Sequence, residues 1–109
     1  MTKPTLLVVD DDEDIRTQMK WALAGDYEVT LAGDRLAAAA AFSQARPTVT
    51  LLDLGLPPSP NSPEEGLATL AGLLVLDRMA KVSVVSGQGD RGNALRAVGE
   101  VRGHTASWP

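Results

Sequence analysis

The stretch Thr5-Leu6-Leu7-Val8-Val9-Asp10-Asp11-Asp12-Glu13-Asp14 decides how this chain is read. Its first half is apolar and ends in branched side chains, the pattern of a strand buried on both faces in a parallel sheet. Its second half is an unbroken run of acids. Two further apolar runs also stop on an oxygen-bearing side chain: Val49-Thr50-Leu51-Leu52 at Asp53, and Val82-Ser83-Val84-Val85 at Ser86. In open α/β sheets, ligands bind outside the carboxyl ends of the strands. Three such strands side by side would gather three carboxylates and a hydroxyl around one crevice.

Outward from this stretch, strand and helix signals alternate, as expected of βα units around a parallel sheet. A first strand is expected over Thr5 to Asp10. A helix follows from the acidic run to about Ala24, with Ile15, Met19, Ala22 and Leu23 on one face and Gly25 as its stop. Tyr27 to Leu31 reads as a second strand and Arg35 to Ala45 as an alanine-rich second helix. Val49 to Asp53 reads as a third strand after Pro47. The proline-rich segment Leu54 to Pro63 is a loop. Ser62-Pro63-Glu64-Glu65 then carries the marks of a helix start: a capping serine, a proline in the first turn, and acids favoured by the helix dipole. That helix is expected to reach about Met79. A fourth strand is expected over Lys81 to Val85, and a fourth helix over Asp90 to about Val101.

Composition narrows the function classes. The chain has 109 residues, enough for one core but not two. Its net charge of −4 makes it a poor nucleic-acid binder, because phosphate contacts need clustered Lys and Arg. Cysteine is absent, which excludes disulfides and cysteine-based zinc sites and fits a cytoplasmic location. No secretory signal is visible at the N-terminus. The most apolar stretch, Leu67 to Leu76, is too short to span a bilayer.

The acids divide into two groups. Asp12, Glu13 and Asp14 are explained by a solvated helix start, where an aspartate caps and acids complement the dipole. Asp10 and Asp11 stand at the tip of a buried strand, where like charges are costly unless a cation neutralises them. Hard divalent cations such as Mg²⁺ take carboxylate oxygens and waters. Asp53 adds a third carboxylate, able to share a metal or to attack phosphorus as a nucleophile. Ser86 is either a turn cap or a donor to a phosphoryl oxygen.

The words LLVVDDDEDIR (Leu6 to Arg16), LLDLGLP (Leu51 to Pro57) and SVVSGQGD (Ser83 to Asp90) resemble the receiver domain of bacterial two-component response regulators. The resemblance runs from Thr5 to about Glu100, and it implies a flavodoxin-like doubly wound sheet in strand order 2-1-3-4-5. By the same resemblance, Asp53 looks like the phosphoacceptor and Ser86 like the switch hydroxyl. Asp10 and Asp11 look like the acidic pair that binds Mg²⁺, joined by Asp53 and the backbone carbonyl of Gly55. It further implies a sensor histidine kinase as partner. DLGLPPSP, EEGLATL and DRGNALRAV are similar to the regulators of PEP-CTERM exopolysaccharide systems, whose output is transcriptional.

The family pattern fails at one place. Receivers carry a Lys-Pro at the end of strand 5, and counting onward from Ser86 puts Trp108-Pro109 there. Indole offers one N–H and no charge, so it cannot replace an ammonium. Residues 1–100 therefore read as the receiver and 101–109 as a divergent tail, with helix 5 missing and strand 5 in question. Losing helix 5 is expected to uncover the sheet around strands 1 and 3 and to promote a homodimer. Three functions follow: a phosphoacceptor, a receiver-like interaction module that is not phosphorylated, or a phosphohydrolase. The last is disfavoured, because such enzymes resemble D-x-D after strand 1 whereas Asp53 begins Asp-Leu-Gly. His104, in the polar tail, is read as solvated.

Overall fold

The computed structural model describes residues 3–58 and 62–85. They form β1 (Thr5–Val9), α1 (Glu13–Leu23), β2 (Glu28–Ala32), α2 (Arg35–Ala45), β3 (Val49–Asp53), α3 (Glu64–Leu76) and β4 (Val82–Val85). All pairings are parallel, and the strand order is β2-β1-β3-β4. This is the flavodoxin-like arrangement expected, over four strands and three helices. Ser86, the helix expected over Asp90 to Val101, the fifth strand and the tail lie outside the described residues.

Alternation along each strand divides the core into two layers. Leu6 and Val8 of β1, with Val49 and Leu51 of β3, cluster with Met19 and Leu23 of α1 and with Tyr27. Leu7, Val9, Leu52 and Leu56 cluster on the opposite face with Ala38 and Phe42 of α2 and Leu73 of α3. The two central strands are thus covered on both sides, which explains why their sequences are almost wholly apolar, Thr50 being the polar residue inside β3.

Several boundaries differ from the sequence reading. β1 ends at Val9, β2 runs one residue later than expected, and β4 begins at Val82. Tyr27 precedes β2 because its ring is drawn into the α1 layer and its N–H bonds Leu23 O at 2.9 Å. α3 stops at Leu76, short of Met79, because Asp77 turns extended and its Oδ1 accepts the Met79 N–H at 2.9 Å. Ala22 is exposed, since α1 rests on its Met19 and Leu23 side. Gly25 is not left-handed; Ala24 ends α1 in a right-handed conformation. The left-handed cap belongs to α2, where Arg46 has φ 48° and its N–H bonds Phe42 O.

Among the described residues, the sheet face around strands 1 and 3 is not bare. Val49 and Leu51 are 1% and 2% exposed, because Met19, Leu23 and Tyr27 join their cluster. Exposed large apolar side chains are spread over the described surface: Trp21 on α1, Leu36 on α2, Leu67, Leu74, Val75, Leu76 and Met79 on and after α3, and Val84 on β4.

Thr50, the second residue of β3, has a buried Oγ1 with no hydrogen-bond partner among the described residues. A buried hydroxyl without a partner costs about 1–3 kcal/mol. Thr50→Val keeps the shape and removes that cost, so urea unfolding is expected to show a gain of about 1 kcal/mol. A loss of stability would mean that the hydroxyl is satisfied in solution.

Candidate functional site

Pairing of Val9 with Leu52 aligns the carboxyl ends of β1 and β3, so the residues that follow, Asp10 and Asp53, emerge side by side. Carboxylate oxygens of Asp10, Asp11 and Asp53 lie within 4.8 Å of one another. Asp10 is 4% exposed, Asp53 is half-buried and Asp11 is exposed. The three acids singled out in the sequence therefore converge.

Each is set by local chemistry. The Asp10 N–H donates to Ala32 O at 3.1 Å, carrying the β1–β2 ladder one residue past the strand. The Asp10 Oδ1 accepts the Asp12 N–H at 2.9 Å. Asp12 is the N-cap of α1, its Oδ1 accepting from Asp14 N at 2.9 Å and Ile15 N at 3.3 Å. Asp53 Oδ1 accepts the Gly55 N–H at 3.0 Å, which fixes the rotation of that carboxylate. Gly55, the expected carbonyl ligand, thus sits in the turn held by Asp53.

Two residues not singled out for the site support it. Gly66, in the first turn of α3, lies against the backbone of Leu54: a Cβ there would stand 2.2 Å from Leu54 Cα. Leu54 O accepts from Leu56 N at 3.0 Å and from Gly66 N at 3.2 Å, so the loop after Asp53 is tied to the start of α3. A glycine inside a helical pattern was the available signal, since it is unfavourable there and points to a packing reason. Arg16 is the second: its Nη1 donates to Asp10 O at 2.7 Å. Nothing in the spacing of the acids points to it.

Like charges this close repel. At an effective dielectric of about 20, a pair near 5 Å apart costs on the order of 3 kcal/mol, and less where solvent screens Asp11. A divalent cation would reverse that sign. Asp10, Asp11 and Asp53 would hold such an ion through their carboxylate oxygens. The donor set is oxygen only, which suits Mg²⁺ and not a soft metal.

Lysines are elsewhere. Lys3 and Lys81 precede β1 and β4, at the amino ends of the strands, and Lys20 lies in the last turn of α1. Lys3 Nζ donates to Ala24 O. Among the described residues no helix is long and apolar enough to cross a membrane.

Comparison with known proteins agrees with this geometry. No curated protein is significantly similar to the chain. The receiver domain of NtrX from Brucella abortus is 32% identical, with a TM-score of 0.66, over 85% of this chain and 76% of that one. A CheY-like response regulator receiver domain protein from Methanospirillum hungatei JF-1 is 25% identical, with a TM-score of 0.70, over 90% and 75%. The anti-anti-sigma factor PhyR from Bartonella quintana shares the fold at 20% identity and a TM-score of 0.62 over 77% of this chain. The chain spans about a third of that protein's length, 33%. The sequence profile of the response regulator receiver domain matches residues 6–102, nearly the whole chain. With three carboxylates at the strand ends and that match along its length, the chain belongs to the response regulator receiver domain family.

Proposed function

We propose that this chain is the phosphoacceptor module of a two-component system, taking a phosphoryl group from a sensor histidine kinase onto Asp53. The observation that carries this reading is the convergence of Asp10, Asp11 and Asp53 at the carboxyl ends of adjacent strands. A carboxylate oxygen of Asp53 forms the bond to phosphorus as the phosphorus–nitrogen bond to the donor histidine breaks, its electron pair staying on nitrogen. The Gly55 N–H holds Asp53 in one orientation for that attack. Asp10, Asp11, Asp53 and the Gly55 carbonyl would hold Mg²⁺, which would supply charge neutralisation on the transferring group. Ser86 would donate to a phosphoryl oxygen after transfer.

Residues 1–100 form this module in our reading, and 101–109 a divergent tail. In our reading its place is the cytoplasm and its output is transcriptional, through domains outside this chain. The chain is not an enzyme beyond promoting its own phosphorylation and dephosphorylation. A homodimer belongs to this reading as well, and sedimentation tests it: a monomeric, cooperatively unfolding species would remove it.

One observation favours a second reading, a receiver-like interaction module that is not phosphorylated. All three lysines are placed away from the acids, so none of them pairs with a phosphoryl group on Asp53. Intact mass after incubation with acetyl phosphate and Mg²⁺ separates the two. A gain of one phosphoryl group is expected. No adduct, together with no Mg²⁺ binding, would establish the interaction module. Steady release of phosphate from several esters would instead mark a phosphohydrolase.

A further inference from the structure

We propose that Arg16 is a positioning residue of the Asp10–Asp11 cation site, acting through the Asp10 carbonyl without touching the ion; this rests on the cation-binding reading above. β1 ends at Val9, so the carbonyl of Asp10 has left the strand. Arg16 takes it instead, with Nη1 at 2.7 Å. The amide on the other side of Asp10 is held by Ala32 O at 3.1 Å, and the carboxylate by Asp12 N at 2.9 Å. The carbonyl of Asp10 belongs to the peptide that leads into Asp11. Fixing that peptide plane fixes the direction in which the second acid leaves the backbone.

Arg16 is itself held. Its amide bonds Asp12 O at 3.0 Å, one turn back in α1. Its guanidinium fills the space beside Gly33, where a Cβ would stand 2.9 Å from Nη1. The side chain thus joins the β1–α1 and β2–α2 connections.

Charge and position make opposite predictions, which gives the test its sign. A guanidinium near a cation site repels the ion, so charge alone predicts tighter binding when Arg16 is removed. Positioning predicts weaker binding, by about tenfold, the lower end for groups that orient metal ligands. The measurement is Mn²⁺ affinity of the full chain by electron paramagnetic resonance of the free ion, with melting of the metal-free protein alongside. Arg16→Ala is expected to bind Mn²⁺ about tenfold more weakly, and Arg16→Lys, which can still donate to the carbonyl, to recover most of the loss. Arg35→Ala, which breaks the 2.9 Å ion pair to Glu65 between α2 and α3, is expected to leave the affinity unchanged. Unchanged or tighter binding in Arg16→Ala overturns the inference, as does a loss that lysine does not recover. If the unaltered chain takes up no Mn²⁺, the cation reading falls and this inference with it. If it binds and Arg16→Ala binds equally well, only the role of Arg16 falls.

Discussion

Gly66→Ala is expected to lower the unfolding free energy by about 3 kcal/mol, the upper end for overpacking a tight contact. For a domain of this size that corresponds to a fall in melting temperature on the order of 15 °C. Helix propensity alone predicts the opposite, since alanine is better than glycine by about 1 kcal/mol in a helix interior. The contact decides. An added Cβ at Gly66 would stand 2.2 Å from Leu54 Cα, 2.5 Å from its carbonyl oxygen and 2.7 Å from its carbonyl carbon. These are backbone atoms, so no rotamer change relieves the clash; α3 or the loop after Asp53 must move. Gly72 provides the control, being in the same helix with nothing within 4 Å of an added Cβ. Gly72→Ala should therefore gain roughly 0.5–1 kcal/mol, as propensity predicts. Thermal or urea unfolding of the two variants checks both signs, and equal effects would show that the Leu54 contact is not made in solution. Because Leu54 follows Asp53 directly, Gly66→Ala should also slow phosphoryl uptake in whatever fraction remains folded.

Asp53→Asn is expected to abolish phosphoryl uptake from acetyl phosphate while leaving the fold intact. A neutral amide lacks the nucleophilic oxyanion that bonds to phosphorus. The side-chain oxygen that accepts from Gly55 N is retained, so the turn after β3 keeps its hydrogen bond. Removing one of three clustered acids also relieves repulsion, so the melting temperature of the metal-free protein should hold or rise. Mg²⁺ should stabilise Asp53→Asn less than the unaltered chain. At free cation tenfold above its dissociation constant, binding contributes about 1.4 kcal/mol, and weaker binding contributes less. A full mass gain in Asp53→Asn would move the phosphoacceptor to another acid. A collapse of the fold would mean that the carboxylate is structural.

These outcomes also show which parts of the molecule are legible in a linear reading. α2 and β3 begin and end where composition places them, because Asp34 caps the one and a mostly apolar run ending at Asp53 defines the other. Local signals were weaker where tertiary contacts compete. Tyr27 was read as strand but belongs to the α1 layer, and α3 stops early because the Asp77 side chain captures a backbone N–H. Gly25 follows the end of α1 as read, while the left-handed cap sits after α2, at Arg46. Glycine is permissive but not obliged to be left-handed, and a surrounding fold can hold another residue there.

Asp10, Asp11 and Asp53 were found from the sequence because parallel strands align their carboxyl ends, and a run of apolar residues stopping at an acid records where each end falls. That feature is local, so the sequence by itself determined the α/β class, the candidate acids and their membership of one crevice. Gly66 against Leu54, Arg16 on the Asp10 carbonyl and the closed layer over Val49 and Leu51 were decided only by the tertiary structure. Each depends on the separation between two elements distant along the chain. Neither spacing nor periodicity carries that distance; it is set by how closely helix and sheet pack.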